Sequence, residues 1–367
     1  MGPFPEGNAV VYCEGAFGTP GGKTAHGLVR RCERYRVLSV IDSTLAGDDA
    51  GVLLGGGPTG IPVVEGLGAA LCDAERRGLK ATHFVVGIAP DGGRLSVEAR
   101  GSVLEAIRCG LNVDSGLHDL LTEDEEIRAL AERYGVKIRD VRKTPPRSEL
   151  HSFTGKIKEV TSFKIAVLGT DSAVGKRTTA WIIVDALRQV GFSAELIGTG
   201  QTAWMQGARY GVIIDSLIND FVAGEIENAV WRCWKELSPD AIVIEGQGSL
   251  MNPAYPGGFE ILAAAKPDLV VLQHAPRRVD YDGFPGFKIH PLKTQVEAIR
   301  LISGRDVVAV TVNHEGMSAE EIPLECGFIE RDVGIPAMDL LYAGAERLVE
   351  LLTPLIKRSL DAGRNRN

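Results

Sequence analysis

The residues with the clearest chemical potential lie between positions 169 and 179. An apolar run at residues 165–168 ends at Gly169, and a short loop leads to Gly175 and Lys176, where a helical pattern begins. The backbone N–H groups of such a loop face an anion at the start of a helix, and the lysine adds a positive charge. The pattern predicts a phosphate-binding loop made of Gly169, Thr170, Asp171, Ala173, Val174, Gly175, Lys176, Arg177, Thr178 and Thr179.

This loop departs from the common pattern G-x-x-x-x-G-K-[ST] in two ways. Five residues separate Gly169 from Gly175, and Arg177 occupies the position of the usual hydroxyl residue. We expect Thr178 to offer its hydroxyl to Mg²⁺ in place of the missing side chain. The alternative is a glycine turn between a strand and a helix that carries a surface lysine.

Two carboxylates follow apolar runs in the same half of the chain. Glu245 opens the segment Glu-Gly-Gln-Gly-Ser, and Asp215 follows a shorter run. The carboxyl ends of parallel strands meet at one edge of a sheet, and Mg²⁺ takes carboxylate and phosphate oxygens as ligands. We therefore predict that Thr178, Asp215 and Glu245 bind Mg²⁺ and that Lys176, Glu245 and Asp215 are catalytic. For each acid, a helix cap or a structural carboxylate is the alternative.

A small acidic substrate, such as an amino acid, requires fixed cations or N–H donors around its carboxylate. The candidate residues are Lys23, Gln201, Thr202, Arg209, Gln247 and Arg277 with its neighbour Arg278.

Composition limits the possible partners. The 367 residues carry a net charge of -8, and 44% are hydrophobic. An acidic chain of this kind is not expected to bind nucleic acid, and no apolar run reaches the roughly 18 residues of a membrane span. The six cysteines lack C-x-x-C spacing and the seven histidines lack H-x-x-x-H spacing. A cytoplasmic homo-oligomer without a disulfide framework or transition-metal site is expected.

Alternating strand and helix patterns predict an α/β fold with two parallel sheets. The segment 142–149, with two prolines and several charges, predicts a domain boundary. We assign residues 1–148 to a Rossmann-like domain and residues 149–367 to a P-loop nucleotide-binding domain. The first strand leads into a glycine-rich turn before Lys23, and Asp42 ends the second strand, where a ribose-binding acid is expected. The G-x-G-x-x-G spacing is absent, so a capped helix start is the alternative.

The second domain resembles dethiobiotin synthetase and the amide-forming cobyrinate synthases. Their phosphate loop has the same five-residue gap, and Glu245-Gly-Gln-Gly-Ser249 resembles their strand end in which a glutamate binds Mg²⁺. Asn313, after the apolar run 307–312, resembles the asparagine that recognises adenine in those enzymes. The resemblance implies an ATP- and Mg²⁺-dependent enzyme that activates a small carboxylate by phosphoryl transfer. Arg177 stands where those enzymes carry threonine.

The whole chain resembles a narrower bacterial and archaeal family that joins an N-terminal Rossmann-like domain to this type of P-loop domain. Gly175-Lys-Arg-Thr-Thr179, Gly200-Gln-Thr202, Asp215, Asp220-Phe-Val-Ala-Gly224 and Glu245-Gly-Gln-Gly-Ser249 resemble its signatures. Some members are described as D-glutamate N-acetyltransferases, which implies acetyl-CoA as an alternative ligand of the loop. A non-catalytic nucleotide-binding protein is the third alternative.

Overall fold

The structure is a computed structural model that describes residues 4–364. Contacts divide the chain into two compact units. The first contains Met1–Pro145 and Gln201–Ala208, and the second contains Pro146–Gly200 and Arg209–Asn367. Residues 201–208, which the sequence assigned to the second domain, therefore belong by their contacts to the first.

The first unit is a parallel six-stranded sheet in the order β3-β2-β1-β4-β5-β6, which is the order of dinucleotide-binding Rossmann folds. Its strands are β1 (Gly7–Tyr12), β2 (Tyr35–Ile41), β3 (Val63–Val64), β4 (His83–Val86), β5 (Asn112–Ser115) and β6 (Ile138–Asp140). Its helices are α1 (Lys23–Arg30), α2 (Ala50–Leu53), α3 (Leu67–Arg76), α4 (Val97–Arg108) and α5 (Glu125–Tyr134).

Both faces of this sheet are covered. Along β1, Val10 and Tyr12 join one apolar cluster, whereas Ala9 and Val11 join another. This division follows from the twofold alternation of side chains along a strand. The helices begin at polar caps: Ser96 accepts a hydrogen bond at the start of α4, and Asp124, in the acidic segment 122–126, caps α5.

The second unit is a parallel seven-stranded sheet in the order β13-β12-β11-β7-β10-β8-β9. Its strands are β7 (Phe163–Gly169), β8 (Ala194–Gly198), β9 (Tyr210–Gly211), β10 (Ala241–Glu245), β11 (Leu269–His274), β12 (Val307–Val312) and β13 (Ala337–Met338). Its helices are α6 (Lys176–Gln189), α8 (Asn219–Leu237), α9 (Leu292–Ser303), α10 (Glu321–Val333), α11 (Leu340–Ala343) and α12 (Glu346–Arg364). Helix α7 (Gln201–Gln206) follows β8 in the chain but belongs to the first unit.

Strand β7 lies at the centre of this sheet, between β10 and β11, and all seven of its residues are buried. Burial on both faces explains why the sequence shows a continuous apolar run here rather than alternation. The central position brings the ends of β10 and β11 to either side of the loop that follows β7. The predicted α/β fold with two parallel sheets is confirmed.

The unusually large side chains of residues 203–210 predict a loop, but residues 201–206 form helix α7. Met205 is fully buried in the same apolar cluster as α1 of the first unit. The guanidinium of Arg34 lies 3.7 Å from the ring centroid of Trp204 and donates to its carbonyl oxygen at 2.7 Å. The large side chains of this segment are therefore packing residues of the first unit.

Several further elements escaped sequence analysis. The short strand β3 and the helices α9 and α10 were not predicted from the sequence. No helix of residues 4–364 is long and apolar enough to cross a membrane.

Candidate functional site

The phosphate loop connects β7 to α6 and turns through left-handed backbone conformations. The φ angle is 51° at Ala173 and 107° at Gly175, which precedes the first helical residue, Lys176. A Cβ atom on Gly169 would lie 2.8 Å from Cδ of Lys176. Glycine at position 169 thus allows the lysine side chain to cross the end of the strand.

Lys176 is almost completely buried, with 6% of its surface exposed. Its Nζ donates to the backbone carbonyl of Asp171 at 2.6 Å. Burial lowers the lysine pKa to about 8, although the negative charges of Asp171 and Glu245 act in the opposite direction. A cation that burial destabilises in this way gains most from an anion bound beside it.

Asp171 is the polar centre of the loop and has no exposed surface. One carboxylate oxygen accepts from the Ser172 backbone at 2.7 Å and from Asn252 Nδ2 at 2.9 Å. The other accepts from the Asp282 backbone at 2.8 Å and from Arg278 at 3.3 Å. Two segments that are distant in sequence thereby anchor the loop. Such a carboxylate is tolerated in the interior because every lone pair faces a donor.

Arg278 is the basic residue that contacts the loop. Its guanidinium donates to the carbonyl oxygens of Ser172 at 2.8 Å and Ala173 at 3.3 Å, and it pairs with Glu315 at 2.8 Å. The predicted substrate residue Arg277 is exposed and pairs with Glu321 at 2.6 Å. Of the two neighbouring arginines, Arg278 therefore supports the loop.

Glu245 ends β10 beside the loop, as predicted, and only 4% of its surface is exposed. Its Oε2 accepts from the Thr199 backbone at 2.8 Å. Burial raises the pKa of Glu245, while the positive charges of Arg177 and Lys176 oppose that rise. The carboxylate therefore lies in the field of two cations from the start of α6.

Arg177 bears on the predicted Mg²⁺ site. A P-loop holds Mg²⁺ with the hydroxyl that follows its lysine, together with an acid and substrate phosphates. In this chain a cation follows the lysine and acts on Glu245. Binding of Mg²⁺ by Glu245 stays a prediction, and Arg177 places a positive charge in the neighbourhood of that carboxylate.

The other predicted metal ligands lie on two different elements of the second unit. Thr178 is half-buried in the first turn of α6. Asp215 is exposed in the 3₁₀ turn Ile214–Ser216, whose first residue donates to the carbonyl of Thr199 at 3.1 Å. Within residues 4–364, no group of three or more His, Cys, Asp or Glu residues is arranged to hold a metal ion.

The ends of β11 and β12 support the other side of the loop. Gln273 accepts hydrogen bonds from the hydroxyls of Thr179 and Thr311. The Thr170 hydroxyl lies 2.9 Å from Nδ1 of His274, whose pKa burial lowers to about 4. These contacts hold the loop and the start of α6 against the sheet edge.

Asn313 is tied to the loop from the end of β12. Its Nδ2 donates to the Val174 carbonyl at 2.9 Å, and its side-chain oxygen accepts from the Glu315 backbone at 3.0 Å. In this arrangement the side chain supports the loop; recognition of adenine by Asn313 stays a prediction.

The predicted substrate residues are divided between the two units. Gln247 lies two residues after the end of β10, and its side-chain amide donates to the Thr199 hydroxyl at 3.1 Å. Gln201 and Thr202 belong to the first unit, where Thr202 lies 3.0 Å from the Thr24 hydroxyl and Gln201 accepts from Arg142 at 3.1 Å. Lys23, which begins α1, and Arg209, which follows α7, are both exposed.

Asp42 has a structural role in the first unit. Its buried carboxylate accepts from the Phe17 backbone at 2.9 Å and from the Thr44 hydroxyl at 2.6 Å. The predicted ribose-binding acid therefore holds the glycine-rich turn in place. This arrangement agrees with the absence of the G-x-G-x-x-G spacing.

Sequence reasoning missed Asn252 and Asp282, which anchor Asp171 from loops without a recognisable motif. It also missed Ser249 and Gln295, which line a pocket beside Gly169. Only Ser249 carried a signal, since it closes the glycine-rich segment that begins at Glu245.

Comparison with known proteins agrees with this two-unit organisation. The family model for the DUF1611 P-loop domain (domain of unknown function, DUF1611_C) matches residues 151–349. The model for the Rossmann-like domain of the same family, DUF1611_N, matches residues 43–144.

Two curated relatives are named D-glutamate N-acetyltransferase. The protein from Pseudoalteromonas sp is 32% identical over 291 residues, which is 76% of this chain and 83% of the relative. The protein from Tritonibacter scottomollicae is 31% identical over 289 residues, with the same coverage of 76% and 83%.

A solved structure of a DUF1611 family protein from Anabaena variabilis is also similar. It superposes with a TM-score of 0.86 at 26% identity, over 95% of this chain and 99% of that one. The chain belongs to the DUF1611 family, with a Rossmann-like N-terminal domain and a P-loop C-terminal domain.

Proposed function

We propose that this protein transfers an acetyl group from acetyl-CoA to the amine of an acidic amino acid, D-glutamate or a close analogue. The observation that carries the proposal is the loop before α6, where the buried Lys176 begins the helix and Arg177 stands in place of the usual metal-binding hydroxyl residue. The reaction is taken from the names of the two curated relatives, which are 31–32% identical to this chain over 76% of its length.

The loop suits the diphosphate of CoA. Helix N-termini and loop N–H groups bind phosphate oxygens without a metal, and Lys176 supplies a point charge that burial has made costly. Arg177 supplies a second cation at the position where metal-dependent loops carry a hydroxyl. An ester diphosphate that is bound but not cleaved requires no metal to stabilise a leaving phosphate.

In this proposal Lys176 and the N–H groups at the start of α6 hold the cofactor. The thioester of acetyl-CoA lies at the far end of the pantetheine arm, away from the diphosphate. The amine nitrogen attacks the thioester carbonyl, an N–C bond forms, the C–S bond breaks, and the sulfur leaves as a thiol with the proton released by the amine. Side chains that assist this step would contact the thioester end of the pantetheine arm rather than the diphosphate.

The test measures free thiol in a mixture of the protein, acetyl-CoA and D-glutamate, with L-glutamate and glycine as parallel acceptors. We expect thiol release with D-glutamate, little change when EDTA is added, and a loss of roughly tenfold or more in kcat/KM for Lys176→Ala. Lys235→Ala, which changes an exposed lysine of α8, is the matched control. No thiol release with any acidic amino acid would refute the proposal.

A second candidate is ATP-dependent phosphoryl transfer to a small carboxylate. The position of Glu245 at the end of β10, close enough to Lys176 for their charges to interact, favours it. The substitution Glu245→Gln separates the two functions. It should abolish Mg²⁺-dependent ADP formation if Glu245 binds the metal, whereas CoA affinity should be unchanged or increase because a negative charge beside the phosphates is removed.

A further inference from the structure

A histidine and a buried aspartate form a pair near the end of β12, within the second unit. Nδ1 of His314, the second residue after β12, lies 2.6 Å from Oδ2 of Asp339, which precedes α11. The aspartate side chain is 1% exposed, whereas the histidine side chain is 40% exposed. A buried carboxylate therefore holds the imidazole at one nitrogen, while a large part of the ring stays accessible to solvent.

The hydrogen bonds of Asp339 determine which nitrogen of the histidine can accept a proton. Its Oδ1 accepts from the backbone N–H groups of Leu341 at 2.9 Å and Tyr342 at 3.0 Å, as a helix cap does. Because both carboxylate oxygens are acceptors, Nδ1 of His314 carries the proton of the hydrogen bond to Oδ2. In the neutral imidazole the free lone pair is then on Nε2. This is the arrangement of a general base that a carboxylate orients.

Both sequence neighbours of His314 connect the pair to the phosphate loop. Asn313 donates to the Val174 carbonyl at 2.9 Å. Glu315 pairs with Arg278, which donates to two carbonyl oxygens of the loop. In the sheet, β12 is the second strand from β7, so the spacing of strands places the pair about 10 Å from the strand that precedes the loop. The extended pantetheine arm of CoA is longer than this separation, so the thioester can reach the imidazole while the diphosphate stays at the loop.

The histidine at the end of the neighbouring strand β11 lacks these properties. Nδ1 of His274 lies 2.9 Å from the Thr170 hydroxyl rather than from a carboxylate. Burial lowers the pKa of His274 to about 4, which makes it a weak base at neutral pH. Of the two histidines, His314 is the one that combines an accessible ring with an anionic partner.

A cation that can bind the carboxylate of an acceptor lies close to the pair. Cβ of Arg277 is 3.9 Å from the position that a Cβ on Gly316 would occupy, two residues after His314. The ion pair of Arg277 with Glu321 is exposed on both sides and therefore weak, so a substrate carboxylate can replace Glu321. An amino acid bound by this guanidinium can place its amine in the neighbourhood of the imidazole.

We propose that His314 is the general base of the acetyl transfer and that Asp339 is the residue that positions it. The inference rests on the proposed function. Nε2 of His314 accepts one proton from the free amine of the acceptor while the N–C bond forms at the thioester carbonyl. The imidazolium then gives that proton to the sulfur as the C–S bond breaks. CoA leaves as a thiol, and the neutral imidazole is regenerated.

The test measures thiol release at saturating acetyl-CoA and D-glutamate, together with ADP binding by calorimetry. His314→Asn keeps an N–H donor where Nδ1 lies but has no basic nitrogen, so kcat should fall about a hundredfold while ADP affinity stays within about twofold. Asp339→Asn keeps the oxygen that caps α11 but favours the wrong tautomer of the histidine, so kcat should fall roughly tenfold or more. His151→Ala should leave kcat unchanged and is the matched control, because Nδ1 of this exposed histidine also lies beside a carboxylate, that of Glu225, at 2.8 Å.

Imidazole added to the buffer gives a result that a purely structural role would not produce. It should raise kcat of His314→Ala with increasing concentration, because the missing side chain leaves space for a free base beside the substrate. It should not raise kcat of the unmodified protein or of His151→Ala. A loss of kcat that imidazole does not restore, together with a lower melting temperature, would make the pair a structural contact.

Two other results would overturn the assignment. Unchanged kcat in His314→Asn would show that the imidazole takes no part in the reaction. A loss of ADP affinity as large as the loss of kcat would assign the pair to nucleotide binding. If the unmodified protein releases no thiol with any acidic amino acid, the proposed function itself fails; that result needs no variant and is therefore distinct from a failure of this inference.

Discussion

Binding of a diphosphate at the loop should take up a proton from solution near pH 8. The pKa of Lys176 without ligand is about 8, so about half of the molecules carry a neutral lysine at that pH. Phosphate oxygens beside Nζ favour the charged form and move the lysine pKa towards or above its usual value. We therefore expect an uptake of about 0.5 proton per ligand at pH 8, and close to none from this lysine at pH 6.5.

The size of the effect follows from the lysine shift. A fall from 10.5 to about 8 corresponds to about 3 kcal/mol of destabilisation of the charged form inside the protein. Below pH 8 the lysine is protonated in both the folded and unfolded states, and the folded state carries the full penalty. Between pH 8 and 10.5 the unfolded state binds more protons, so the stability of the second unit rises with pH in that window.

The assay is calorimetry of ADP and of CoA in HEPES and in Tris, whose different ionisation enthalpies reveal the number of protons exchanged. Phosphate buffer is avoided because it would compete for the loop. Lys176→Met should lose the uptake together with most of the affinity, and Lys235→Ala should keep both. Tight binding without proton uptake at pH 8, or an uptake that survives in Lys176→Met, would refute the assignment of the lysine to the anion.

Two further substitutions test the architecture of the loop. Asp171→Asn places an amide NH₂ group among hydrogen-bond donors that include Arg278. We therefore expect the free energy of unfolding of the second unit, measured in urea, to fall by about 3 kcal/mol. An unchanged unfolding transition would contradict the role of Asp171 as the polar centre of the loop. Gly246→Ala should destabilise the second unit by about 1–3 kcal/mol, because the added Cβ would lie 2.4 Å from the Val167 carbonyl oxygen. Its control, Gly101→Ala, adds a Cβ in open space on α4 and should stabilise the first unit by about 0.5–1 kcal/mol. Equal effects of the two substitutions on stability would contradict the packing around Gly246.

The fold could be predicted from the sequence because it depends on local patterns. Apolar runs such as residues 163–169 form strands buried on both faces, and helices with polar caps at Ser96 and Asp124 alternate with them. In a parallel α/β fold these patterns are sufficient to place the polar strand ends at one edge. The expectation that Lys176 and Glu245 lie near each other came only from this placement of strand ends at one sheet edge.

The segment 201–208 could not be placed in the same way. Its sequence lies between two strands of the second sheet, but Trp204 and Met205 find their packing partners in the first unit. Which apolar surface a short helix covers depends on contacts that are distant in sequence. Local propensity and spacing carry no information about them.

The sequence by itself determined the two parallel sheets, the position of the phosphate loop and the acid at the neighbouring strand end, because strand burial and loop chemistry are encoded within short segments. Only the tertiary structure decided what surrounds the loop. Asp171 is anchored by Asn252 and Asp282 from distant loops, Arg278 rather than Arg277 contacts the loop, and Ser249 lies unpaired in a pocket beside it. These roles depend on the burial of single polar atoms and on the donors that face them, and both arise only when remote parts of the chain pack together.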